Sequence, residues 1–392
     1  MKQLLKRLLI PLLLLVFFFG VFYFITYCCE SDLEAHANMA VKKMQSGQMF
    51  SGNFLLYFLM NLFSGFSFEL EKVIMANCVL LSIAVIMKYQ IVFDYLHQKY
   101  SFITASISSF SLLFVYIIPL VLPAEYLLGY KSVGLYLHYF VPNVWHNSTI
   151  IFSMPFAIWT YILAIQLLKK QTSGVDNFSF EKCLKMSVVL LISVMIKPSF
   201  FFAFIIPYTL VGFYKYRKNM RKFASILLPV ILGFVGIAYQ FLTIYDGHDG
   251  SHVIFTLNNL ISIEYWKLHL PFYISSLILP VTYFVLNFKK CLNDMEFCLV
   301  YSMLVISIFI GLLFEETGPR AGHGNFGWQI IVSMWFVYFY IVWNELSSIK
   351  KINIHNYFKL PQKHKIIVSL YSTMFFFGII YLSYIFIFKT FI

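Results

Sequence analysis

The sequence predicts an all-α fold: one polytopic integral membrane domain spanning residues 1–392, with about 9 to 11 transmembrane helices. Three observations carry this. The 392 residues are 60% hydrophobic and 20% aromatic, and only 12% are charged, whereas a soluble domain of this length carries about 25% charged residues to solvate its surface. Apolar runs recur at the length of roughly 20 residues that a helix needs to cross about 30 Å of hydrocarbon. Lysine and arginine alternate between rich and poor loops, as they do when a chain crosses a membrane repeatedly.

Taken in order, the runs predict spans over 8–28, 73–93, 101–122, 148–168, 223–244, 271–287, 297–314, 328–345 and 366–388. The first follows Lys2, Lys6 and Arg7 and lacks a small-residue cleavage pattern, so it reads as a retained anchor. Residues 53–68 are short and flanked by polar loops, which predicts a re-entrant or interfacial helix. The stretch 183–214 is too long for one helix and is interrupted by Lys197-Pro198-Ser199, which predicts a broken hairpin. Cysteines 28, 29, 78, 183, 291 and 298 show no metal-ligand spacing and read as packing residues.

With the amino terminus inside, the inner loops collect Lys169, Lys170, Arg217, Lys218, Arg221, Lys222, Lys289, Lys290, Lys350 and Lys351. The outer segments, 29–72, 123–147, 245–270 and 315–327, hold far fewer cations and gather most of the acids and histidines. The formal charge of +12 is therefore an orientation signal. A nucleic-acid partner is excluded, since its surface needs basic residues on one folded face.

Four outer motifs carry chemistry. Directly after the first span comes Glu30-Ser31-Asp32-Leu33-Glu34-Ala35-His36. Ser31 and Glu34 form a capping-box pattern, which starts a helix at Ser31, puts Asp32 in its first turn, and places His36 on the same face four residues later. The motif suits a base held as its anion, and it equally suits a cap that keeps acids out of lipid. His138, His146 and Asn147 end the next outer loop, where Asn147 either caps the following helix or meets a ligand. Lys197 sits where proline frees backbone groups, so it either snorkels or holds an anion. The loop from Glu315 to Trp328 combines Glu316, Arg320, His323 and Asn325 with glycines that permit close backbone approach, and Arg320 can fork onto a phosphate. Residues Tyr245 to His252 read as a mobile polar loop, and a divalent metal ion is the one cofactor these residue types leave open.

The acidic motif after the first span, the stretch GQMFSGNFLLYFLMNLFSGFS, the Phe-rich spans and the broken KPSF hairpin together resemble the C-type membrane glycosyltransferase superfamily and the related polysaccharide polymerases and ligases. That resemblance implies a sugar donor linked to polyprenyl phosphate and a glycan or lipid acceptor, in an envelope of bacterial type. The family's carboxylate, which acts as base or orients the acceptor, maps onto Asp32, with Glu30, Glu34 and His36 as neighbours. Cations for the lipid phosphate map onto Lys197 and Arg320, with His323 beside the latter. His138, His146, Asn147, Glu316 and Asn325 are then the sugar or acceptor contacts. Unlike the family members with a large soluble carboxy-terminal domain, this chain leaves acceptor recognition to its outer loops. A transporter of lipid-linked saccharides is the rival from another class, and it calls for charges along the spans and for repeated halves.

The topology is tested by thiol labelling. Cysteines introduced at Ser251 and Ala321 are expected to react with an impermeant reagent from outside, and one at Ser173 is not; labelling at Ala321 from the inner side would split the outer motifs across the membrane.

Overall fold

The computed structural model describes residues 2–119, 140–169, 178–244, 250, 252–318, 324–350 and 360–391. The chain opens with α1 (Lys2–Cys28), an apolar helix long enough to cross a membrane, and turns into α2 (Asp32–Gln45) and α3 (Phe54–Phe63). The return span is α4 (Leu70–His97), followed by the short α5 (Phe102–Phe114) and then α6 (Ser148–Leu168). The predicted break at Lys197-Pro198 divides α7 (Phe180–Ile196) from α8 (Ser199–Tyr216). Next come α9 (Met220–Ile226) and α10 (Leu228–Ile244), which form one apolar length, then α11 (Ile263–Leu286), α12 (Met295–Leu313), α13 (Trp328–Lys350) and α14 (Gln362–Phe388). Among the described residues eight helices are long and apolar enough to cross a membrane, so the chain is a helical polytopic membrane protein.

Packing follows from which helices are apolar all round. Helices α6 and α13 are the most enclosed, whereas α1, α10 and α14 leave most of their surface outside the bundle. Helix α1 packs on α4, α4 on α6, α6 on α7 and α7 on α10, while α8 packs between α12 and α13. The short α2 lies across α3 and α4.

Three expectations are corrected. The span expected over 101–122 is a helix of only 13 residues, about 20 Å long at 1.5 Å per residue. It stops at Phe114, and the chain continues extended through Val115 to Pro119. There Tyr116 N donates to Met374 O of α14 over 3.1 Å. Gly378 lets that helix approach so closely that a methyl group at this position would collide with the Phe114 carbonyl. Second, residues 140–147, expected in an outer loop, are all buried between helices. Third, the fold is not purely helical. Strand β1 (His252–Phe255) pairs antiparallel with β2 (Phe314–Thr317), with Val253 opposite Glu316. His252 therefore belongs to a strand, and four-residue strands are too short to announce themselves by alternation.

Buried irregular chain among membrane helices needs internal partners for its polar groups. Asn143 supplies them: its Nδ2 donates to Leu112 O (3.2 Å) and Val115 O (2.8 Å), and its Oδ1 accepts from Lys88 Nζ at 2.6 Å. Lys88, 8% exposed on α4, also lies 4.8 Å from the Trp335 ring. Trp145 completes the wedge by stacking on Phe18 of α1 at 5.4 Å. Replacing Asn143 by Leu would take this partner from the Val115 carbonyl and from a buried ammonium, while the Leu112 carbonyl keeps its bond from Trp335 Nε1, a loss of about 3 kcal/mol. Asn143→Leu is expected to melt several degrees below the parent in detergent, and an unchanged melting temperature would show that the segment is held by apolar packing alone.

Candidate functional site

Asp32 is the first residue of α2, and Ser31 is its N-cap with extended backbone, but the Ser31 hydroxyl makes no capping bond and Glu34 is exposed. The capping box is thus corrected: Ser31 holds the right position, and the carboxylate at the helix end is Asp32. Its partner comes from elsewhere in the chain. Asn147 Nδ2 donates to Asp32 Oδ2 over 3.1 Å, while Asn147 Oδ1 accepts from Ile150 N (3.1 Å) and Thr149 Oγ1 (2.8 Å). One side chain therefore caps α6 and holds the Asp32 carboxylate, and the capping bond fixes which way its amide points. Beneath it, Asn77 of α4 donates to Leu33 O (3.3 Å) and Ser148 Oγ (3.1 Å), locking the start of α2 to the start of α6.

His36 lies one turn on from Asp32 and shares a 2.9 Å hydrogen bond with the Tyr57 hydroxyl of α3. His146 is buried between the rings of Trp328 (5.7 Å) and Phe391 (5.3 Å). Lys197, 7% exposed at the break between α7 and α8, places its ammonium 4.8 Å from the Trp328 ring centre. Asp32, Lys197 and the two imidazoles feel one another's charge. Burial, reinforced by the Lys197 cation and opposed by Asp32, pushes His36 down to about 4. Burial likewise pushes His146 down to about 4, with Asp32 opposing and Lys197 reinforcing. Both imidazoles are neutral at pH 7.

Lys197 also lines a cavity of about 490 Å³. Ser199, Gln240, Asn53, Glu316 and Asn325 are the polar residues of the wall, and Pro198, Phe202, Ile206, Ile237, Phe241 and Phe314 are among the apolar ones. Asn325 Nδ2 donates to Glu316 Oε2 at 2.6 Å, and β2 carries Glu316 to this position opposite Val253.

Of the residues singled out in the sequence, Asp32, His36, His146, Asn147 and Lys197 come together, and Glu316 and Asn325 join them across the cavity. Glu30 and Glu34 are exposed and make no side-chain hydrogen bond or ion pair within the described residues. His138, Arg320 and His323 lie outside the described residues. The sequence reading missed Tyr57, Trp328, Asn77 and Gln240; a polar atom on the buried face of an apolar helix was the available signal for Tyr57, Asn77 and Gln240. Among the described residues, no three His, Cys, Asp or Glu side chains gather to hold a metal ion.

Fold and site together define a helical membrane protein with a carboxylate, a lysine and two neutral imidazoles collected at one end of its bundle. Comparison of the chain with protein-family models, with curated proteins and with solved structures finds no match.

The imidazoles make stability depend on pH with a definite sign. In the unfolded chain they take up protons near pH 6.5, in the folded one only near 4. Their contribution is complete above about pH 6.5 and is lost as the pH falls toward 4, because there the unfolded state binds more protons. The melting temperature is expected to drop between pH 7 and 4.5, and a His36→Gln, His146→Gln double variant to flatten that drop; an equal drop in the variant would place the titration elsewhere.

Proposed function

We propose that the protein is a membrane glycosyltransferase of the C type, which moves a sugar from a polyprenyl-phosphate-linked donor to a glycan or lipid acceptor. The observation that carries this reading is the meeting of Asp32 and Lys197 at one cluster, with Lys197 shared by a cavity whose wall is mostly apolar and carries a few polar side chains. A lipid-linked donor has that polarity: an anionic phosphate at the membrane interface, a sugar on its aqueous side and an isoprenoid chain in lipid.

The chemistry asks for a base and a cation. Asp32 accepts the proton of the acceptor hydroxyl as its oxygen forms a bond to the anomeric carbon. The bond from that carbon to the phosphate oxygen breaks, the electron pair leaves with the phosphate, and Lys197 stabilises the growing negative charge. His36 and His146, being neutral, add no second cation beside Lys197 to divert the phosphate. Helices α8 and α10 supply the apolar wall for the isoprenoid through Phe202, Ile206, Ile237 and Phe241. The positive-inside pattern supports an outer-face site with the amino terminus inside, and we assign the protein to the cytoplasmic membrane of a bacterial-type envelope on the strength of the proposed donor. A transporter would line its spans with charges; Lys88 on α4 is one buried charge of that kind, whereas Asp32 and Lys197 lie together with the two imidazoles.

Asp32→Asn keeps the size of the side chain and removes the base. It is expected to insert and melt normally yet lose glycan transfer about a hundredfold, while Glu30→Gln and Glu34→Gln stay close to the parent. The measurement is glycan output, or build-up of the lipid-linked donor, in cells expressing each variant at matched levels; normal output from Asp32→Asn would overturn the assignment of the base.

A further inference from the structure

The turn between α8 and α9 carries five cations in eight residues, from Lys215 to Lys222. Helix α8 starts at Ser199 beside Lys197 and runs 18 residues, about 27 Å at 1.5 Å per residue, against roughly 30 Å of membrane hydrocarbon. The next apolar length, Met220–Ile244, begins in this turn. The turn thus lies about one membrane thickness from the Asp32 cluster. Its backbone is anchored: Lys215 Nζ donates to Leu167 O (2.8 Å) and Lys169 O (3.2 Å) at the end of α6, and the Tyr216 hydroxyl donates to Leu167 O (2.7 Å). Asn219 Oδ1 caps α9 by accepting from Lys222 N at 3.2 Å.

On this turn Arg217, Lys218 and Arg221 are exposed and form no ion pair within the described residues; the Arg217 guanidinium lies 4.7 Å from the Tyr214 ring. The acids on the helices packed around α8 and α9 are engaged elsewhere, Glu181 with Lys185, Glu296 with Lys169 and Glu345 with His364. Orientation in the membrane asks only for positive charge, which lysine supplies as well as arginine. Yet of the 29 lysines and arginines only four are arginines, and two of those four, Arg217 and Arg221, stand here. What arginine adds is a planar fork of donors that matches the oxygens of a phosphate. Phe213, Tyr214 and Met220 are exposed beside the cations, so the phosphate-matching groups adjoin apolar surface. We infer that this turn binds the headgroup of an anionic phospholipid in the leaflet away from Asp32, where clustered cations next to a membrane helix meet anionic lipid. Arg217 and Arg221 fork onto the phosphate, Lys218 adds charge, and the exposed apolar side chains lie against the glycerol and acyl chains. The site is independent of the chemistry at Asp32.

The test titrates the full chain in detergent with phosphatidylglycerol and with phosphatidylcholine of the same acyl chains, and counts bound lipid by native mass spectrometry. Phosphatidylglycerol is expected to bind about tenfold more tightly. Arg217→Gln with Arg221→Gln is expected to abolish that preference and to leave the melting temperature unchanged, because both side chains are exposed. Arg217→Lys with Arg221→Lys keeps the charge and is expected to keep only part of the preference. Lys289→Gln with Lys290→Gln removes the same charge from the exposed turn between α11 and α12 and is expected to change nothing. Equal affinity for the two lipids, or equal loss in the two glutamine pairs, would reduce the turn to a diffuse basic surface and overturn the assignment. Displacement of phosphatidylglycerol by millimolar inorganic phosphate would assign the turn to a soluble anion and overturn it as well.

Discussion

Extended chain lies among membrane helices only where the protein itself satisfies the polar groups, and three asparagines meet that requirement here. Asn143 takes the carbonyls left open where α5 stops and gives Lys88 an acceptor. Asn77 ties α4 to both α2 and α6. Asn147 caps α6 and reaches Asp32. At Asn143 and Asn147 the amide donates and accepts at once, whereas Asn77 only donates, and all three do so without bringing a net charge into a low-dielectric interior. Loss of any one would free the segment that carries His146 and Asn147, and the cluster around Asp32 would lose its far side.

That cluster is an arrangement of opposite charges kept apart. Burial is the larger cause of the lowered titration of both imidazoles, with the Lys197 charge reinforcing it and the Asp32 charge opposing it. Aromatic rings maintain the desolvation, with Trp328 against both His146 and Lys197 and Phe391 closing over His146. The result is a site preorganised for charge that develops during a reaction, since its dipoles and ions need not reorient at that moment. The imidazoles contribute by staying uncharged, which preserves the contrast between one anion and one cation.

Hydropathy made most of the spans legible, because it reads a property that each segment carries alone. The break at Lys197-Pro198-Ser199 was legible for the same reason: a proline after a cation in an apolar run interrupts a helix whatever surrounds it. Asp32 and Lys197 stood out because ionisable residues beside lipid are costly. What stayed hidden depends on distant partners. The stop of α5 at Phe114 is set by Asn143 and by Met374 of α14, 29 and 260 residues away along the chain. The pairing of β1 with β2 joins segments more than fifty residues apart. The capping box at Ser31 failed because the bond that organises this helix start comes from Asn147, which no local pattern contains.

The cavity beside Lys197 has a cause of the same long-range kind. Along the lower part of α10, Gly233 lies against Phe201 of α8 and Gly236 against Met195 and Leu191 of α7, so closely that even a methyl group would collide. Small residues let helices approach in this way without a hydrophobic driving force between them. Past Gly236 the residues on this side grow to Ile237, Gln240, Phe241 and Ile244, while α7 and α8 part at the Lys197 break. Close contact at the two glycines thus gives way to bulkier side chains around the opening beside Lys197, with Gln240 still tied to the Val194 carbonyl of α7. The opening therefore falls where the helix break has already placed the ammonium, and most of the wall around it is apolar.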